Sequence, residues 1–421
     1  MYQTLTDIVR SISSSRVGVG QYDFTRNGDL SPELLVVFLV YMAADSNRRG
    51  VRHLLADFWA DAEELGLELP RATPVSATAI CNARQRLNPD VFRDALYALS
   101  DSSVDGVAAR GAATWRGRRV YAVDGQKVNL RRADDLDQYF GTPENAHCPQ
   151  ALYSVLVDVC ARLPLDFELS GFRTSERDHL ARMLDSLTAG DLLILDRGYP
   201  SHELLQDLAS RSIDFVIRVP ASQSFAAIDE FRESGKLDSD VTIAIPADAP
   251  EDWRELTLRL VRNEGPQGPA FYLTSLRKEE ASHADIVELY RMRWEIEEYF
   301  KVFTGEYVGQ GLFRSTMPSG VRQEFGALTL LYAMSRIVAG KANEQVEVDG
   351  AYVSQKAAVL GMGTLLMKVA LAPSEPEALQ FVERAIRRLL RTLDRARPRR
   401  SYPRRSFKPT RKWGPMGRRG G

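Results

Sequence analysis

Six side chains stand out for the chemistry that their types and spacing allow. Tyr290, Arg293, Glu297 and Lys301 recur at three- and four-residue intervals, so a helix turning about 100° per residue would carry them on one face. Met292, Ile296, Tyr299 and Phe303 fall on the opposite stripe, which leaves one face to pack and the other free. Taken alone, this describes a solvated amphipathic helix whose Arg293, Glu297 and Lys301 pair at i,i+4. Two further carboxylates bring in a second reading. Asp124 and Asp196 each directly follow an apolar run that reads as a buried strand, and with Glu297 they could make a three-carboxylate metal site.

The helix pattern of Tyr, two residues, Arg, three residues and Glu, followed by Phe300 and Lys301, resembles the signature helix of the insertion-sequence-four family of DDE transposases. The resemblance extends to the first Asp, in Tyr121-Ala122-Val123-Asp124-Gly125. It reaches the second in Leu193-Ile194-Leu195-Asp196-Arg197-Gly198-Tyr199, in the expected order, and covers most of the chain. The chain departs from the pattern at Gln126, where the family usually has Thr, and at Thr304, where the signature places a second Lys. Thr304 cannot supply the charged phosphate contact that the family makes from that position.

The resemblance implies a ribonuclease-H-like α/β core and a DNA transposase that cuts at inverted-repeat ends and joins the freed 3′-hydroxyls to target DNA. It implies two divalent ions, magnesium or manganese, ~3.5–4 Å apart, with Asp124 bridging both and Asp196 and Glu297 completing one site each. Tyr290, Arg293 and Lys301 would grip phosphates of the transposon end and fix register without reading sequence. The partners expected are double-stranded DNA, as transposon ends and target, and a second copy of the chain in the DNA complex. Two alternatives stay open: a catalytically silent DNA-binding descendant, and a structure-specific nuclease on the same core.

The elements that must position these residues are legible from periodicity. Helical patterns over 31–44, 51–64 and 76–87, separated by breakers at 47–50 and 66–74, describe a small helical region. In the last of these, Thr78, Asn82, Gln85 and Arg86 face outward. They are base-reading types, as consistent with a helix-turn-helix as with the polar face of a bundle. The segments 120–123 and 127–130 read as two strands around Asp124-Gly125, a pair that is also a short hairpin signal. The polar stretch 131–150 reads as a mobile loop. Strands over 151–160, 164–170, 192–195 and 215–219 alternate with helices over 176–187 and from Ser201 to Ala209. Asp196 is thus placed at a strand end, where ligands of α/β sheets gather, although an Asp there also starts turns.

From 220 to 282 the rhythm changes. Alternating segments at 241–245, 256–261 and 271–276 read as an inserted β subdomain, which accounts for 101 residues between Asp196 and Glu297 against 72 between Asp124 and Asp196. Trp253 and Trp294 could stack on an unpaired base but suit core positions better. Helices over 319–339, 353–372 and 375–395 complete the chain. The expected division is a helical DNA-binding region at 1–113, a catalytic domain at 114–345 with the insertion at about 220–282, and a helical region with a basic tail at 346–421.

At 421 residues and 44% hydrophobic content the chain can bury large cores. The longest apolar run, 34–44, is too short for a bilayer of ~30 Å, and no signal layout opens the chain. The expected location is cytoplasmic, at the nucleoid of a prokaryotic cell, with no membrane partner. Cys81, Cys148 and Cys160 show no metal or redox spacing and read as reduced. The net charge of −1 hides 15 Lys and Arg against a single Asp from Arg384 onward, a basic arm suited to DNA or to a solvated tail.

Overall fold

Strand β1 (Val120–Asn129) sends Val120 and Ala122 into one apolar cluster and Tyr121 and Val123 into another, because successive side chains of a strand point to opposite faces. In the computed structural model, residues 17–20, 23–24, 28–45, 49–108, 114–144, 146–220, 225–265, 268–303 and 313–395 are described. The strands are β1, β2 (Gln150–Asp158), β3 (Leu163–Gly171), β4 (Leu192–Leu195), β5 (Asp214–Val219), β6 (Asp238–Ile243), β7 (Leu256–Gly265) and β8 (Gly268–Thr274). They form one sheet in the order β3-β2-β1-β4-β5-β8-β7-β6. The β1–β4 and β4–β5 pairings are parallel and the others antiparallel. The fold is mixed α/β with a large central sheet.

Before the sheet come α1 (Pro32–Ala43), α2 (Val51–Glu64), α3 (Ala77–Arg86) and α4 (Val91–Ala108). Helix α5 (Asp134–Phe140) follows β1, α6 (Glu176–Met183) follows β3, α7 (His202–Ser210) follows β4 and α8 (Ala226–Glu233) follows β5. After β8 come α9 (His283–Arg291), α10 (Trp294–Val302), α11 (Pro318–Asn343), α12 (Gln355–Leu371) and α13 (Glu375–Leu389). A two-stranded ribbon, β9 (Ala351–Val353) with β10 (Leu393–Arg395), ties α12 and α13 together at their ends. Helices α6 to α8 cover one face of the sheet. The N-terminal helices and α9 to α13 share one apolar cluster against the other. Leu34 to Met42 of α1 are all buried there, which explains the apolar run. Among the described residues no helix is long and apolar enough to cross a membrane.

Four expectations need correction. Asp124-Gly125 is no hairpin: β1 runs straight through it and pairs with β2 from Tyr121↔Asp158 to Asn129↔Gln150. The stretch 131–150 contains α5, whose Leu136 and Phe140 are buried and whose Asp134, Asp135 and Asp137 lie in the first turn, where the helix dipole favours them. The strands of the 220–282 insertion form no separate sheet, since β8 pairs with β5 and carries β7 and β6 outward on the same sheet. Trp294 is no core residue: it is 43% exposed, beside Lys301 Nζ at 5.0 Å from its ring centroid. The three cysteines are free, and Thr304 and the tail from 396 lie outside the described residues.

Candidate active site at the ends of β1 and β4

Ala122 pairs with Ile194 in the parallel register, so Asp124 and Asp196 each stand two residues beyond a matched pair and on the same side of the sheet. Beyond Leu195 the β4 strand ends, and the edge of β1 at Asp124 is left without a parallel neighbour. Both carboxylates are half-buried, and each is held by the backbone N–H of a nearby glycine. Gly125 N donates to Asp124 Oδ1 at 2.9 Å and Gly198 N to Asp196 Oδ1 at 2.7 Å. The turn-starting geometry expected of Asp196 is therefore present, and it holds the carboxylate in place.

Glu297 arrives from the helical side, but on a helix broken where the sequence suggested continuity. Helix α9 ends at Arg291, and i→i+3 bonds from Met292 N to Leu289 O and Arg293 N to Tyr290 O, at 3.0 and 3.1 Å, tighten the chain before α10 begins. The reason lies in packing: Ile286 and Leu289 of α9 bury towards β5 and β7, whereas Ile296 and Tyr299 of α10 bury towards β1 and α11. The apolar stripe of Ile296, Tyr299 and Phe303 holds as expected. Tyr299 Oη meets Tyr153 Oη at 2.6 Å, and Tyr153 Oη also meets Thr329 Oγ1 at 2.8 Å, which locks α10 to β2 and α11 two residues from Glu297.

Arg293 links the carboxylates. Its Nη2 donates to Glu297 Oε1 at 2.6 Å and its Nη1 lies 3.7 Å from Asp124 Oδ2. Tyr290 packs against Tyr272, ring centroids 4.7 Å apart, with the Arg293 guanidinium 5.9 Å from its own ring. Lys301, one turn past Glu297 on α10, is exposed and pairs with Glu298. Burial pushes the Asp124 carboxyl above its ordinary range. The Gly125 N–H and Arg293 oppose the shift, while Asp196 and Glu297 add to it.

Sequence reasoning passed over Glu176, at the start of α6, whose carboxyl is raised by burial and next by Asp124. A Cβ on Gly125 would stand 2.8 Å from Glu176 Cγ and 2.8 Å from Ser154 Oγ, so the glycine is required for close approach. Ser154 Oγ in turn meets His179 Nδ1 at 2.8 Å, and His179 Nε2 meets Ser170 Oγ at 2.7 Å. The sequence marks only a helix start there, with Ser175 capping at Asp178, and the approach of Glu176 to Asp124 is a tertiary contact.

Burial holds the His179 imidazole down at about 4 from an ordinary 6.5. The unfolded chain therefore binds the proton more readily. Stability from this group is level above pH 6.5 and falls as pH drops towards 4, by about 3 kcal/mol. Asp158, pushed up to about 6 by burial, acts in the opposite sense, gaining stability as pH falls through 6. His179→Gln should therefore remove the acid-side loss. Urea midpoints at pH 7 and pH 4.5 should diverge less in the variant than in the wild type, and equal divergence would disprove the assignment.

Among the described residues no three His, Cys, Asp or Glu side chains stand close enough to hold a metal ion as they are. The donor chemistry still fits a hard divalent cation, because Asp124, Asp196 and Glu297 offer carboxylate oxygens whose charges repel one another at Asp124. In this structure Arg293 supplies that positive charge.

A family model described as Transposase DDE domain matches residues 115–334. Among solved structures, the chain is similar to a piggyBac transposase from a cryo-EM synaptic complex with hairpin DNA. Identity is 11% and the TM-score 0.46, over 97% of this chain and 86% of that one. No curated protein matches.

Proposed function

The chain belongs to the transposase DDE-domain family, its match spanning more than half of the sequence, and from that premise we propose how this DNA transposase works. It is of the insertion-sequence-four kind, cutting at inverted-repeat ends and joining the freed 3′-hydroxyls to target DNA. The observation that carries the reading is the β1–β4 register, which sets Asp124 beside Asp196 on the face reached by Glu297 through Arg293. The order of β1 to β3, α6, β4, α7 and β5 supports a ribonuclease-H-like core.

Asp124, Asp196 and Glu297 would hold two magnesium or manganese ions. Bound there, such ions activate a water and stabilise the leaving 3′-oxygen. Arg293 keeps the Glu297 carboxylate oriented and offsets the charge at Asp124, so DNA phosphates entering the site compete for the same guanidinium. Lys301, exposed on α10 and paired there with Glu298, would offer its cation to the backbone of the transposon end, and Tyr290 packs beside the Arg293 guanidinium. The exposed Thr78, Asn82, Gln85 and Arg86 face of α3 and the basic tail would extend contact along the duplex, and two copies would bring two ends together.

The test is a strand-transfer assay with labelled inverted-repeat ends, magnesium and a circular target. Joined product with the 3′ end covalently in the target is the expected result. Cleavage without joining would make the protein a nuclease on this core, and binding with neither would make it a silent descendant.

A further inference from the structure

The first turn of α6 touches both of the glycines that hold the site's aspartates. On one side the Glu176 side chain fills the space beside Gly125, with Cδ 2.9 Å from where a Cβ would be, and Gly125 N is the donor to Asp124. On the other side Arg177 Nε donates to Gly198 O at 2.9 Å, and Gly198 N is the donor to Asp196. Tyr199, 1% exposed and three residues past Asp196, closes the circuit by donating from its hydroxyl to Glu176 Oε2 at 3.2 Å. The helix carrying Glu176 and Arg177 is itself fixed to the sheet. His179, with no exposed area, is held between Ser154 of β2 and Ser170 of β3, and Ser154 is the register partner of Gly125.

No backbone pairing joins β1 to the Asp196 loop beyond Ala122↔Ile194. The separation of the two carboxylates therefore depends on what bridges the gap, and α6 is that bridge. We propose that Glu176 and Arg177, with Tyr199, are positioning residues that set the spacing of Asp124 and Asp196. The proposal rests on the reading that these two aspartates hold the divalent ions. Groups that orient metal ligands in this way change metal affinity about 10–100-fold when removed.

The experiment is titration of the full-length protein with manganese alone, followed by electron paramagnetic resonance of free ion, together with the manganese dependence of end cleavage and a melting curve for each variant. Glu176→Ala, Tyr199→Phe and Arg177→Gln should each raise the half-saturating manganese concentration about tenfold, while cleavage at saturating manganese recovers towards wild type. Arg177 is exposed, so Arg177→Gln reports even if Tyr199→Phe melts early. Glu176→Gln still accepts from Tyr199 and should restore most of what Glu176→Ala loses. Unchanged half-saturation in both Tyr199→Phe and Arg177→Gln would overturn the bridge. So would a Glu176→Gln as weak as Glu176→Ala beside a harmless Tyr199→Phe, because the carboxylate charge itself would then be what matters. If instead Asp124→Ala binds manganese like wild type, the metal reading beneath the proposal is what has failed.

Discussion

Asp124→Ala should lower end cleavage by at least a factor on the order of 10²–10³, the loss that follows when one preorganised charged contact to the reacting centre is deleted. DNA affinity should change by no more than a few-fold, because grip on the duplex comes from Lys and Arg. The melting temperature should not fall either. Burial and the neighbouring Asp196 and Glu297 raise the Asp124 carboxyl, so the folded protein disfavours its ionised form, and at neutral pH that group opposes folding. Its removal also leaves Arg293 with its shorter contact, to Glu297 at 2.6 Å. An inactive variant that binds ends and melts no earlier than wild type is thus the specific expectation. Cleavage within tenfold of wild type in magnesium would remove Asp124 from the site.

The largest effect on stability should come from Arg84→Ala, far from any chemistry. Arg84 is buried where α3 meets α11. Its Nη2 donates to Glu324 Oε1 at 2.9 Å and to Gly320 O at 2.8 Å, and its Nε donates to Gln323 Oε1 at 3.0 Å. Gln323 reciprocates by donating to Arg84 O and Leu87 O at 2.7 and 2.9 Å. Glu324 also accepts from the backbone N–H of Arg314 and Ser315. Removing one member of a buried, hydrogen-bonded ion pair strands the other and costs about 3–5 kcal/mol. Equilibrium urea unfolding of Arg84→Ala and of Glu324→Gln, which keeps an acceptor, measures this. The alanine variant should lose clearly more, and a loss under about 1 kcal/mol would show that α3 and α11 dock by apolar packing alone.

That network bears on how the chain is divided. The helical segment around Ala83 to Leu87 could be read as a self-contained DNA-binding unit, but its Arg84 is committed to α11 and its apolar face joins the cluster under the sheet. Thr78, Asn82, Gln85 and Arg86 stand exposed on its outer face, as the periodicity required.

What the amino-acid order determined by itself is whatever depends on near neighbours. Apolar runs ending at Asp124 and Asp196 became strand positions beside an open edge. Ile296, Tyr299 and Phe303 became the packed stripe of α10, and Ser31, Ser76, Ser201 and Ser282 became helix caps. These follow from periods of 2 and 3.6 and from capping, which act within a few residues. Tertiary structure decided the rest. It chose strand over hairpin at Asp124-Gly125, because nine pairings to β2 and the approach of Glu176 outweigh a local turn preference. It broke the helix expected over 290–301 at Met292 and Arg293, since its two halves bury against different strands, and so put Tyr290 on a different helix from Glu297 and Lys301. It joined β8 to β5 and brought α6 between the two aspartates. Each of these outcomes is a contact between residues far apart in the chain, and no local period encodes which distant surface a segment will meet.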